Sequence, residues 1–178
     1  MKKVLVLLAV LVSVIALAQV NVDVFGSYDF VLFATPTTAS PTAYVSFGAL
    51  VTYEVSEGVE IGGGVGLAWF SQFLGNATST IATFLGVNTE YALDLLVAAK
   101  YNLPIDDFSS VTIKGYGGLS IPGFTSFNNL GYVVGIGVLY TFDVSNFAIG
   151  VGAGIEMRTY GSNNCTAVPV GANVSIKF

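Results

Sequence analysis

The chain of 178 residues has no histidine, one cysteine, and only six basic against eleven acidic side chains. Each scarcity removes a class of chemistry. Without histidine there is no side chain that titrates near neutrality to serve as a general base, and no imidazole to ligate a transition metal. Cys165 has no second thiol with which to close an internal disulfide and no histidine to activate it, so it reads as a loop thiol without a catalytic role. The acids do not follow the spacing of a calcium loop. The expectation is therefore no enzyme, with no catalytic residue, no metal and no cofactor. An excess of acids also speaks against nucleic acid as a partner, since phosphate backbones are held by Lys and Arg. A charged fraction of 10% beside 53% hydrophobic residues is too thin a coat for a water-facing surface.

Long apolar runs are missing too, except at the start. Lys2 and Lys3 precede the unbroken run Val4 to Val12, and Ala16-Leu17-Ala18 offers a small-x-small cleavage site. Residues 1–18 read as a secretory signal peptide, with the mature chain starting near Gln19 and no cysteine there to take an acyl anchor. After Ala18 nothing approaches the roughly 20 consecutive apolar residues of a spanning helix, whereas a tilted spanning strand needs only about 9–11.

What is present, eight times, is alternation. Apolar residues recur at every second position in Val20–Leu32, Tyr44–Val55, Val59–Phe70, Glu90–Leu103, Val111–Ser120, Tyr132–Phe142, Phe147–Arg158 and Val168–Phe178. Period two buries one face of a strand, and in hydrocarbon strands can cross only as a closed barrel without edges. The opposite phase is small or polar, and the run Gly62-Gly63-Gly64-Val65-Gly66 lies inside a strand, where no helix follows to make it a phosphate loop. Long connections (Phe33–Ala43, Ser71–Thr89, Ile121–Gly131, Thr159–Ala167) alternate with short ones (Ser56–Gly58, Pro104–Ser110, Asp143–Asn146). That alternation is the mark of outer-membrane barrels, whose periplasmic turns are short and whose external loops are long, and it places both termini in the periplasm. Pro36, Pro41, Pro104 and Pro122 fall in connections and Pro169 near a strand start. Aromatics gather at strand ends, with Tyr28, Phe30, Trp69, Tyr91 and Tyr132 at one level and Tyr53, Tyr101, Tyr140, Phe142 and Phe178 at the other, as in interfacial girdles.

Here the chain resembles the small eight-stranded outer-membrane barrels, among them the OmpA membrane domain, OmpX, OmpW and the opacity-type adhesins. The resemblance is architectural and covers residues 19–178. Its most specific element is the ending Val174-Ser175-Ile176-Lys177-Phe178, in which Val174, Ile176 and Phe178 look like the signal read by the barrel assembly machinery. The resemblance implies an all-β, antiparallel, up-and-down transmembrane barrel in the bacterial outer membrane, partnered by its lipid and, during biogenesis, by that machinery.

The inward phase carries the charges. Asp23, Glu54, Glu60, Lys100, Lys114 and Lys177 fall toward the terminal end, three acids against three bases, and read as a structural layer of ion pairs. Asp29, Asp94, Glu156 and Arg158 lie higher. Eight strands leave an interior just wide enough for side chains to fill it, although many inward glycines leave room for Phe25, Tyr44, Phe70 and Tyr116 or for a thin channel. The Ser71–Thr89 loop, with Phe73, Leu74, Phe84 and Leu85, offers packing over the mouth, a surface partner or a small apolar solute. The reading is a barrel with a structural or loop-presenting role; the alternative is a narrow channel or conduit for small or apolar solutes.

Overall fold

A computed structural model describes residues 20–35, 43–70, 91–123 and 130–178, none of them helical. The signal-peptide segment and Gln19, residues 36–42 with Pro36 and Pro41, residues 71–90 with the whole Ser71–Thr89 loop, and residues 124–129 lie outside the described residues. Eight antiparallel strands close on themselves in chain order: β1 (Val20–Thr35), β2 (Ala43–Ser56), β3 (Val59–Trp69), β4 (Tyr91–Asp106), β5 (Ser109–Pro122), β6 (Gly131–Val144), β7 (Phe147–Tyr160) and β8 (Asn163–Lys177). The all-β barrel expected from the alternation is the fold of this chain. We call the end where β1 begins and β8 stops the terminal rim, and the other the loop rim.

Following cross-strand partners once around from Asn21, through Thr52, Gly62, Ala98, Tyr116, Gly135, Glu156 and Ala167, returns to Val31, ten residues further along β1. A shear of that size in an eight-stranded barrel tilts the strands by roughly 35–45° and stacks inward residues of different strands in layers. The outward phase is apolar as expected: Val24, Val97, Ile136, Val151 and Ile155 are all more than half exposed. Tyr28, Phe30 and Tyr132 are exposed toward the loop rim, and Tyr53, Tyr101, Tyr140, Phe142 and Phe178 toward the terminal rim. Edge-to-face pairs Tyr28–Phe30 and Tyr140–Phe142, each 4.8 Å between centroids, form within these two levels.

Glycine shapes the wall. A methyl group at Gly62, Gly64, Gly118, Gly152 or Gly171 would run into a backbone carbonyl of the neighbouring strand, so the strands approach there as only glycine permits. Three further glycines are covered by the aromatic ring directly across the ladder: Gly48 by Phe25, Gly135 by Tyr116 and Gly131 by Tyr160.

The strands run longer than their alternation suggests, which corrects several expectations. The segment Thr159–Ala167 is no long loop: β7 continues to Tyr160, β8 begins at Asn163, and the turn at Gly161 takes a left-handed φ of 60°. Cys165 accordingly sits inside β8, facing inward and 1% exposed. Pro104 lies within β4, opposite Ser110, and Pro122 is the last residue of β5. Pro169 is mid-strand rather than near a start; the β7–β8 register passes over Gly154/Pro169 and Ile155/Val168, resuming at Glu156/Ala167 without a shift. The missing donor interrupts the ladder and leaves the register intact. In β1, Leu32 bulges between Val31 and Phe33, and beyond it the inward phase passes to Ala34.

Candidate functional site

The polar side chains of the inward phase meet in the lumen, and they form two clusters rather than one layer. In the lower cluster, near the terminal rim, Glu60 and Lys100 are direct cross-strand partners on β3 and β4. Lys100 Nζ lies 2.6 Å from Glu60 Oε2 and, across the lumen, 2.9 Å from Asp23 Oδ2. Hydroxyls and amides complete the shells. Thr52 donates to Glu60 Oε2 at 2.6 Å and Asn102 Nδ2 to Oε1 at 2.7 Å, while Thr112 donates to Asn102 Oδ1 at 2.7 Å. Ser175 donates to Asp23. All three ionic residues are almost wholly buried, and this set of charged hydrogen bonds is what offsets their loss of water.

Three of the six residues expected in that layer do not join it. Lys114 is directly opposite Lys100 in the β4–β5 register, so the two ammonium groups repel and part. Lys100 takes the carboxylates, and Lys114 Nζ rests 4.3 Å from the Phe25 ring centroid and 5.5 Å from that of Tyr116, without an ion pair among the described residues. Lys177, half exposed at the rim, pairs at 2.5 Å with Asp143, a residue of β6 and not of the connection that the alternation suggests. Glu54 accepts the Gly58 N–H at 3.0 Å and so braces the β2–β3 turn. Of the last strand's outward residues, Val174, Ile176 and Phe178 are all exposed on the outer wall.

The upper cluster is organised by Arg158, 1% exposed. Its guanidinium grips Asp94 with both ends, Nη1 to Oδ1 at 3.0 Å and Nη2 to Oδ2 at 2.7 Å, and its Nε donates to Glu156 Oε1 at 2.7 Å. Glu156 also accepts the hydroxyls of Tyr44 and Tyr116, each at 2.6 Å. Ser120 donates to Asp94 at 2.5 Å and lies 2.6 Å from the Tyr160 hydroxyl. Asp29, the fourth residue of the higher group, stays outside this network: Ser27 donates to its Oδ1 at 2.8 Å, and no cation meets it among the described residues. Above the network a buried cluster of Val31, Tyr44, Ala68, Phe70, Ala92, Tyr160, Cys165 and Ala167 caps the lumen, with Tyr44 and Phe70 packed edge to face at 5.5 Å.

Between the clusters Leu50, Leu96, Ala98 and Val133 pack with Phe25 and Tyr116, leaving a cavity of about 90 Å³ beside Lys114. Below the lower cluster a polar vestibule of about 470 Å³ opens at the terminal rim. Among the described residues the lumen is thus a polar vestibule, an ionic floor, an apolar waist and an ionic and aromatic plug, in that order.

A search of solved structures finds the same fold in Neisserial surface protein A (NspA), at a TM-score of 0.65 and 11% identity, over 89% of this chain and 97% of that one. The fold is that of the small eight-stranded outer-membrane barrels. Ail, the attachment invasion locus protein of Yersinia pestis, is also similar, at a TM-score of 0.49 and 10% identity over 89% of this chain and 99% of that one. No family model and no curated protein matches the chain.

Sequence reasoning puts Tyr44 and Ser120 on the inward phase but joins neither of them, nor Tyr160 or Asp143, to the charged residues. Tyr44, Ser120 and Tyr160 are integral to the Arg158 network, and Asp143 is the partner of Lys177. Their signal was present as the inward phase: Ser120 and Tyr44 alternate with outward residues, and Asp143 simply continues β6 one residue past Phe142.

Proposed function

We propose that this chain is an outer-membrane barrel with a closed lumen, which serves as an envelope-spanning scaffold and acts through the segments at its loop rim. The observation that carries this reading is the plug. Arg158, Asp94, Glu156, Tyr44 and Ser120 fill the bore with side chains that are each almost fully buried and mutually satisfied, and such a network opens only by stranding a buried charge. The membrane assignment draws on the apolar outer wall and its two aromatic levels.

In this reading the terminal rim is periplasmic, residues 1–18 are removed on export, lipid covers the outer wall, and Val174, Ile176 and Phe178 address the chain to the assembly machinery. A surface partner or a small apolar solute is then met by the external loops, and no catalytic task is assigned. The experiment is single-channel recording of the refolded protein in a planar bilayer. A correctly folded, silent barrel is the expected result. Reproducible discrete conductance steps would instead establish the competing reading, a narrow channel.

A further inference from the structure

Of the lysines after Ala18, Lys100 holds Asp23 and Glu60 and Lys177 holds Asp143, while Lys114 is left without an anion. The Lys114 nitrogen meets the faces of Phe25 and Tyr116 and donates no hydrogen bond among the described residues. It is not sealed off either: the side chain is partly exposed and lines the cavity of about 90 Å³ between the two ionic clusters. The charged groups that act on it are Asp23, Lys100 and Glu156, and each is bound elsewhere. A lane without side chains leads to it. Lys114 faces Gly137 across the β5–β6 ladder, Gly137 faces Gly154 across β6–β7, and Gly154 stands where the β7–β8 ladder is interrupted at Pro169. All of these residues line the cavity. At the interruption the wall has no inward side chain on β7 and lacks the ladder hydrogen bond that proline cannot donate, and only the methyl of exposed Ala153 stands beside it on the outer face of β7.

We propose that Lys114 is a covalent capture site for a short aliphatic aldehyde, which reaches it from the bilayer along this lane. A lysine amine becomes a nucleophile in apolar surroundings or beside a second cation. Lys114 has both, in the two rings and in Lys100 directly opposite on β4. Its deprotonation breaks no ion pair and no hydrogen bond among the described residues. The nitrogen lone pair forms the C–N bond to the carbonyl carbon, and both N–H hydrogens leave with the carbonyl oxygen as water. The product is a neutral imine, and no oxidant or reductant is consumed. Phe25, Leu96 and Leu139 offer the alkyl chain an apolar seat. The cavity is several times the roughly 10–15 Å³ that one water-sized body occupies, so it admits a chain of a few carbons and excludes a bulky ring system.

The test is reductive trapping. The refolded barrel in zwitterionic micelles is incubated with propanal and sodium cyanoborohydride, and the modified lysines are mapped by peptide mass spectrometry. The amino terminus and half-exposed Lys177 serve as internal controls. The expected result is that Lys114 is propylated in the folded barrel while Lys100, held by its two carboxylates, is not. Naphthaldehyde should label the controls and spare Lys114. Gly137→Ala places a methyl in the lane, 3.3 Å from the Ala153 carbonyl oxygen, a contact that a slight shift relieves, and should slow the labelling of Lys114 alone. Lys114 untouched until urea unfolds the chain, naphthaldehyde reacting with it as readily as propanal, or a Gly137→Ala rate equal to the parent's would overturn the proposal. None of these readouts depends on whether the bore conducts.

Discussion

At the scale of single residues, the two lysines opposite each other on β4 and β5 make a natural experiment. Lys100 neutralises two buried carboxylates, whereas Lys114 neutralises none and lies on an aromatic face. Removing one partner of a buried ionic cluster strands the other and costs about 3–5 kcal/mol. Losing a cation–π contact costs on the order of 1 kcal/mol, part of which an apolar side chain recovers by packing. We therefore expect Lys100→Met to lower the urea midpoint of the refolded barrel sharply and Lys114→Met to leave it nearly unchanged. Equal effects would contradict the division between the two residues. Cys165 offers a second check. Sealed in the cap beside Ala167 and Tyr160, its thiol should resist a maleimide reagent in the folded barrel and react at once in denaturant; rapid labelling of the folded form would mean that the cap opens.

At the scale of strands, the wall is set by where a side chain can be tolerated. A methyl at Gly152 would meet the Val138 carbonyl, while one at Gly115 would find open space on the outer wall. Gly152→Ala should therefore destabilise the barrel, and Gly115→Ala should stabilise it by roughly 0.5–1 kcal/mol through lost backbone entropy in the unfolded chain; parallel urea titrations compare them directly. The strands were legible because a lipid-facing wall and a crowded bore impose opposite demands on alternate residues. That legibility ends where both faces meet water or polar neighbours. Asn164 and Thr166, outward on β8, carry no apolar mark, which is why paired strand between Thr159 and Ala167 reads as loop. The ionic pairings were less visible still. Alternation tells that Lys114 and Glu54 face inward, but only the register and the ten-residue shear decide which carboxylate each cation reaches.

At the scale of the molecule, the bore carries two closures in series, the Asp23–Lys100–Glu60 floor and the Arg158 plug, separated by the apolar waist around Leu50 and Leu96. Current through such a bore is limited by whichever closure remains. Among variants that still insert and fold, Lys100→Met alone and Arg158→Met alone should be as silent in a planar bilayer as the parent chain, and only the combination should conduct. Conductance in either single variant would show that one cluster does all the closing.

The seam between β1 and β8 sets a further condition on the whole. Asn21 pairs with Lys177, and the two strands stay paired as far as Thr35 and Asn164, so the first strand of the barrel has one of its two neighbours in the eighth. Contacts at such sequence separation must be won against the entropy of closing almost the entire polypeptide into a ring. Every shorter nascent chain exposes two open edges of an apolar sheet. The ring of eight strands is therefore complete only when β8 meets β1, and until that seam forms both strands keep an unpaired edge.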